Sequence, residues 1–170
     1  MTTVRRTLSP LIVLALAVLA ALPWGLGDHL RMLPPFIPAL AIYVLGTERR
    51  GAVPEMIAFI AGLSVDAMTQ GPLGYWGLIY LFASFAAVVV PPPAGRVLAG
   101  WAMFVPISIA LVLTAYVVGL VYAMALLPLA PFAAAVVLLV VAYPFAAILL
   151  APLVRSRASP QRPLVRGGSA

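Results

Sequence analysis

Six apolar runs, at residues 8–27, 33–47, 53–70, 75–90, 98–122 and 131–153, divide the chain, and every arginine falls between or beyond them. A helix that crosses a bilayer needs about 20 apolar residues, with a range of roughly 17–25. The first, fifth and sixth runs meet that length, and the third and fourth lie at its short end. The second opens Leu33-Pro34-Pro35-Phe36-Ile37-Pro38, and proline fits the first turn of a helix but not its interior. The pattern therefore predicts a regular helix over only residues 35–46. At about 1.5 Å per residue that is shorter than the ~30 Å hydrocarbon core. Such a segment either spans a thinned region or includes irregular backbone packed against protein.

Breakers divide the rest. Thr69-Gln70-Gly71-Pro72-Leu73-Gly74 predicts a helix stop at Gly71 and a restart near Pro72, so runs three and four form a tight antiparallel hairpin. Pro106 and Pro144 fall inside runs five and six, where they predict kinks. Pro91-Pro92-Pro93 ends run four rigidly.

Composition makes lipid the solvent. The chain is 65% hydrophobic and 8% charged, against about 45–50% apolar and about 25% charged in soluble domains. All ten basic residues are arginines, and the net charge is +6. With six spans and a cytoplasmic N-terminus, Arg5, Arg6, Arg49, Arg50, Arg96, Arg155, Arg157, Arg162 and Arg166 share one side, and Arg31 stands alone on the other. That split obeys the positive-inside rule and puts both ends in the cytoplasm. Arginines in loops and tails suit anionic lipid rather than a nucleic-acid groove.

Trp24, Tyr75, Trp76 and Tyr122 fall near the predicted outer ends and Trp101 near an inner end, as interfacial aromatics do. Arg5-Arg6 before an apolar run also resembles a secretory signal peptide. The run exceeds the usual apolar length of about 7–15 residues, so an uncleaved first span is expected. The domain plan is a six-helix transmembrane domain over 1–154 and a basic, disordered cytoplasmic tail over 155–170.

Candidate chemistry narrows to one acid. Without cysteine there is no disulfide, thiol catalysis or cysteine-ligated metal. On a helix Glu55, Ala58, Gly62, Asp66 and Thr69 share one face of small and polar residues, the composition that lets membrane helices approach closely. Glu55, after Pro54, suits a helix N-terminus. Asp66 lies deeper, where an aspartate costs up to about 2.5–3.5 kcal/mol on insertion scales. Arg31, His29, Tyr75 and Trp76 are its candidate outer-side partners. It is either a proton or ligand site, or a structural pin that holds helices together or caps the 71–74 turn. Only Asp28 shares its side, and His29 is the sole histidine. Too few roles of a catalytic set can be filled, so no catalytic, metal or cofactor residue is expected.

The run Gly62-x-x-x-Asp66, then Gly71-x-Leu73-Gly74, preceded by Leu22-Pro23-Trp24 and by Leu33-Pro34-Pro35 with Tyr43, resembles the rod shape-determining protein MreD family. The likeness covers roughly residues 10–90. One departure is that Arg31 is separated from Pro34-Pro35, where the family usually has an Arg-Pro pair. The resemblance implies a non-enzymatic inner-membrane scaffold of the cell-elongation machinery, without cofactor. Its implied partners are MreC, RodA with its class B penicillin-binding protein, and the MreB filament. The implied fold is similar to the substrate-binding S components of energy-coupling-factor transporters. Gly62, Asp66, Ala58, Thr69, Gly71, Pro72, Leu73, Gly74, Pro23, Trp24, Pro35 and Tyr43 are then the structural or partner-binding candidates. The alternative is a substrate-binding transporter subunit, in which Ala17-x-x-x-Ala21 resembles the S-component contact with its membrane partner. An intramembrane enzyme is disfavoured, since no second acid or serine–histidine pair is present.

Overall fold

A computed structural model describes residues 2–25, 27, 30–48, 52–90 and 97–154, with the backbone alone for 2–7, 48, 97 and 151–154. Among the described residues the chain is entirely helical, in the order α1 (Thr2–Ala21), α2 (Phe36–Glu48), α3 (Glu55–Thr69), α4 (Tyr75–Val89), α5 (Val97–Ala123) and α6 (Leu129–Val154). Helix α1 starts before the first apolar run and ends well short of residue 27, because Leu22-Pro23 halts it. Helix α2 begins right after the proline pair and keeps Pro38 in its first turn. Helices α5 and α6 run through Pro106 and Pro144.

Two helices are long and apolar enough to cross a membrane, over Leu98–Ala123 and Leu129–Leu150, and only 33% and 22% of their apolar windows are buried. A core helix of a water-soluble domain would hide most of that surface. These two helices turn theirs outward, as a lipid-facing helix does. In α5 and α6, Val121, Val137, Phe145, Ile148 and Leu149 are all exposed.

The packing is a ring with a filled centre. Helix α1 meets α3, α3 meets α4, α4 meets α5, α5 meets α6, and α6 returns to α1. Inside lies α2, touching α1, α4 and α6, with every residue from Pro38 to Leu45 buried. The segment whose prolines made it doubtful as a span is therefore the innermost helix. Close packing holds it there. A Cβ on Gly46 would lie 2.8 Å from that of Ala87, which marks how tightly α2 approaches α4.

Aromatic side chains fix α2 at both ends. Tyr43 lies 5.0 Å from Phe104 between ring centres, and Phe104 stacks on Tyr143 at 4.7 Å, joining α2, α5 and α6. At the other end Phe36 meets Trp76 edge-on at 5.0 Å. Pairs of this kind add about 0.5–1.5 kcal/mol beyond their buried area.

Helix lengths differ in a way that shapes the molecule. At about 1.5 Å per residue the 13 residues of α2 reach only about 20 Å, and the 27 of α5 about 40 Å. The central helix is therefore much shorter than α1, α5 and α6, and close in length to the 15-residue α3 and α4.

Candidate functional site: the Asp66 hairpin and the cavity beside it

The hairpin between α3 and α4 is built around one carboxylate. Helix α3 ends at Gln70 in the left-handed conformation, φ 53°. The Gly71 amide then donates back to the Asp66 carbonyl at 3.0 Å, closing the last turn. Gly74, at φ 92°, occupies the N-cap of α4. Glycine suits that backbone, but it has no side chain to accept the amides of the first turn. Asp66 does so from the preceding helix. Its Oδ2 accepts the Gly74 N–H at 2.8 Å, and its Oδ1 accepts the Trp76 N–H at 3.0 Å. The negative group also sits at the positive end of the α4 dipole.

Gly62 sets the approach that makes this reach possible. A Cβ there would overlap the backbone of Trp76 and Gly77, so the helices cross backbone to backbone. Phe59 lies against the other side of the crossing, with its ring 3.0 Å from a Cβ built on Gly77. The buried face of α3 is Ala58, Ala61, Gly62, Val65 and Asp66. Ala58, Gly62 and Asp66 of the expected stripe lie on this face. Glu55 and Thr69 are exposed, and the Thr69 hydroxyl bonds the Val65 carbonyl of its own helix at 2.7 Å.

Of the four outer-side partners considered for Asp66, Trp76 serves, through its backbone rather than its indole. Tyr75 is engaged elsewhere, donating its hydroxyl to the Ala115 carbonyl of α5 at 2.9 Å. Tyr75 and Trp76 are also not the exposed interfacial rings that the sequence suggests. They are 7% and 6% exposed, because α4 turns its first residues into the bundle. Trp24, Trp101 and Tyr122 are exposed. The Trp24 indole N–H donates to the Leu19 carbonyl at 3.0 Å, which folds the chain after Pro23 back on α1.

Above the N-terminus of α2 lies a cavity of about 840 Å³. It follows from the short central helix, which leaves one end of the ring unfilled. Pro34 and Pro35 line it where α2 starts, the C-terminal ends of α1, α3 and α5 contribute Ala21, Met68 and Tyr122, and Trp24 comes from the segment after α1. Pro35 is fixed by Tyr80, whose hydroxyl donates to the Pro35 carbonyl at 2.9 Å.

Pro23, Trp24, Pro35, Thr69, Gly71 and Pro72 thus gather at one cavity. Ala58, Gly62, Asp66 and Gly74 form the hairpin beneath it. Leu73 points away, 72% exposed, and its carbonyl accepts the Tyr122 hydroxyl at 3.3 Å. Tyr43 belongs to the other end, bonded to the Val90 carbonyl at 3.3 Å. Gly77, Tyr80 and the Phe104–Tyr143 stack carry no sequence signal of their own. Only the recurrence of Gly77 fifteen residues after Gly62, across a two-helix hairpin, hints at a crossing.

Asp66 has no exposed surface and does not line the cavity. Its chemistry is spent on backbone amides. Among the described residues no three His, Cys, Asp or Glu side chains gather as a metal site would require. His29, Asp28, the Pro91-Pro92-Pro93 run, the tail from residue 155 and the loop arginines Arg49, Arg50 and Arg96 lie outside the described residues. Compared with models of protein families, with curated proteins and with solved structures, the chain matches none of them.

Proposed function

We propose that the chain is a six-span inner-membrane scaffold of the rod-shape and cell-elongation machinery, similar to MreD. It would bind MreC and, through it or beside it, RodA with its class B penicillin-binding protein and the MreB filament. The observation that carries this reading is the use to which the signature residues are put. Gly62, Asp66, Gly71 and Gly74 close a tight hairpin, and both Asp66 oxygens are engaged by backbone amides. A residue pattern devoted to holding two helices suits a scaffold better than an enzyme.

The six-span topology has its own support. The C-terminal ends of α1, α3 and α5 share one cavity with the start of α2 and of α4, as in an up-and-down bundle. Arg31 lies at that end too. Helices α2, α3 and α4, at about 20–22 Å, fall short of the ~30 Å core. Enclosure of α2 by the ring and thinning of the bilayer beside α3 and α4 accommodate them. Nothing in this topology needs a water-soluble domain.

The S-component-like transporter subunit is the second reading, favoured by the outer cavity. Its expected contact pair weighs against it. Ala17 is wholly buried inside the bundle, so Ala17-x-x-x-Ala21 does not present a surface to a membrane partner.

Affinity capture of the full chain in mild detergent separates the two. Recovery of MreC, together with rescue of rod shape in a strain lacking MreD, is the expected result. Recovery of an ATPase module without MreC would sink the scaffold reading.

A further inference from the structure

Helix α6 runs unbroken through Pro144, although proline has no amide hydrogen to donate. In an α-helix residue 144 would donate to the carbonyl of residue 140. The Val140 carbonyl is therefore left without its helical partner, and the ladder of α6 is interrupted there. A donor from another helix takes the place. The indole N–H of Trp101, on α5, donates to the Val140 carbonyl at 2.8 Å, which answers a backbone acceptor that would otherwise stand unpaired. Phe104, three residues further on and so on the same face of α5, stacks on Tyr143 at 4.7 Å between ring centres. Two neighbouring side chains of α5 thus grip α6 immediately before Pro144.

The segment beyond the proline is held less firmly. Before it, Phe132, Ala135, Leu139 and Tyr143 are buried. Over residues 145–150 only Ala147 and Leu150 are buried, while Phe145, Ile148 and Leu149 are exposed. We propose that α6 is hinged at Pro144 and that Trp101 is the latch that keeps the hinge closed. Release of the indole from Val140 lets the segment after Pro144 swing from the bundle and uncover Ala147 and Leu150, while the segment before it stays packed. A helix bends where its hydrogen-bond ladder is already broken, and a hinge concentrates its motion at a few such positions. Trp101 is 39% exposed, so the latch lies at the surface of the bundle, within reach of a competing acceptor. The inference uses the contact between α5 and α6 alone and holds for either reading of the partner.

The test is hydrogen exchange of the full chain in detergent micelles, read by mass spectrometry on peptides from either side of Pro144. Trp101→Phe keeps an aromatic ring and removes the N–H. It is expected to speed exchange over residues 145–150 by roughly threefold to tenfold, the worth of one hydrogen bond, with exchange over residues 132–139 unchanged. Pro144→Ala restores the helical donor to Val140. It is expected to slow exchange beyond residue 144 and to make an added Trp101→Phe silent there. Unchanged exchange over residues 145–150 in Trp101→Phe, an equal rise on both sides of Pro144, or an effect of Trp101→Phe that persists alongside Pro144→Ala would each overturn the hinge. If circular dichroism shows that Trp101→Phe does not fold, Pro144→Ala alone decides, and unchanged exchange beyond residue 144 in that variant would overturn the proposal.

Discussion

The Oδ1 atom of Asp66 accepts the backbone N–H of Trp76 at 3.0 Å, across a sequence gap of 10 residues. An acid on one helix thus serves as the N-cap that the next helix lacks. With Oδ2 on Gly74, both oxygens are acceptors.

Asp66→Asn exchanges one acceptor for an amide donor that faces a backbone N–H. We expect a loss of about 1–3 kcal/mol, the cost of leaving a buried donor without its partner. Asp66→Ala should cost more, since both amides lose theirs. Thermal unfolding in detergent measures the series, and wild-type stability in Asp66→Asn would refute the capping role.

Gly62→Ala places a methyl group in the backbone of Trp76 and Gly77. Backbone cannot yield as a side chain does, so the cost should exceed the about 1–3 kcal/mol of ordinary overpacking. Gly27→Ala, with nothing within 4 Å, should stay within about 0.5 kcal/mol of wild type. Size-exclusion profiles of the two variants make the comparison, and a monodisperse Gly62→Ala would count against the crossing.

Two tyrosines offer a graded test of how α2 is tied to α4. Tyr80 reaches Pro35 at 2.9 Å and Tyr43 reaches Val90 at 3.3 Å. Tyr80→Phe should cost about 1–2 kcal/mol, a typical buried hydrogen bond with its stranded carbonyl. The longer bond of Tyr43 should be worth less. Chemical denaturation of both variants ranks them, and the reverse order would contradict the geometry.

Topology can be read against a silent background, because the chain has no cysteine. Leu73 and Leu126 are 72% and 91% exposed and adjoin the same end of the bundle. Under the six-span reading, a membrane-impermeant maleimide should label Leu73→Cys and Leu126→Cys on intact spheroplasts. Labelling only after permeabilisation would reverse the orientation or remove a span.

The hairpin was legible because its signals are local. Gly71, Pro72 and Gly74 punctuate the chain within a few residues, and the four-residue spacing of Ala58, Gly62 and Asp66 marks a face. The place of α2 was not legible. Its sequence is apolar all round, a pattern that reads alike for a lipid-facing and a fully enclosed helix. The same ambiguity hides Tyr75 and Trp76, whose composition suits an interface and whose burial is set by their contacts with Phe36 and Ala115. The cavity is further still from the sequence, for it arises from a difference in length between helices that lie far apart in the chain.

Helix α2 also imposes an order on biogenesis. Its packing partners include α4 and α6, which leave the ribosome later, α6 last of the six. Until α6 arrives, a 13-residue helix with prolines at its entry rests against α1 and α4 but lacks its third wall. The nascent chain therefore carries its own future centre as a partly uncovered segment until the last helix is made. Completion of α6 is the event that closes the ring, and a chain truncated before it should be recognised as unfinished by protein quality control.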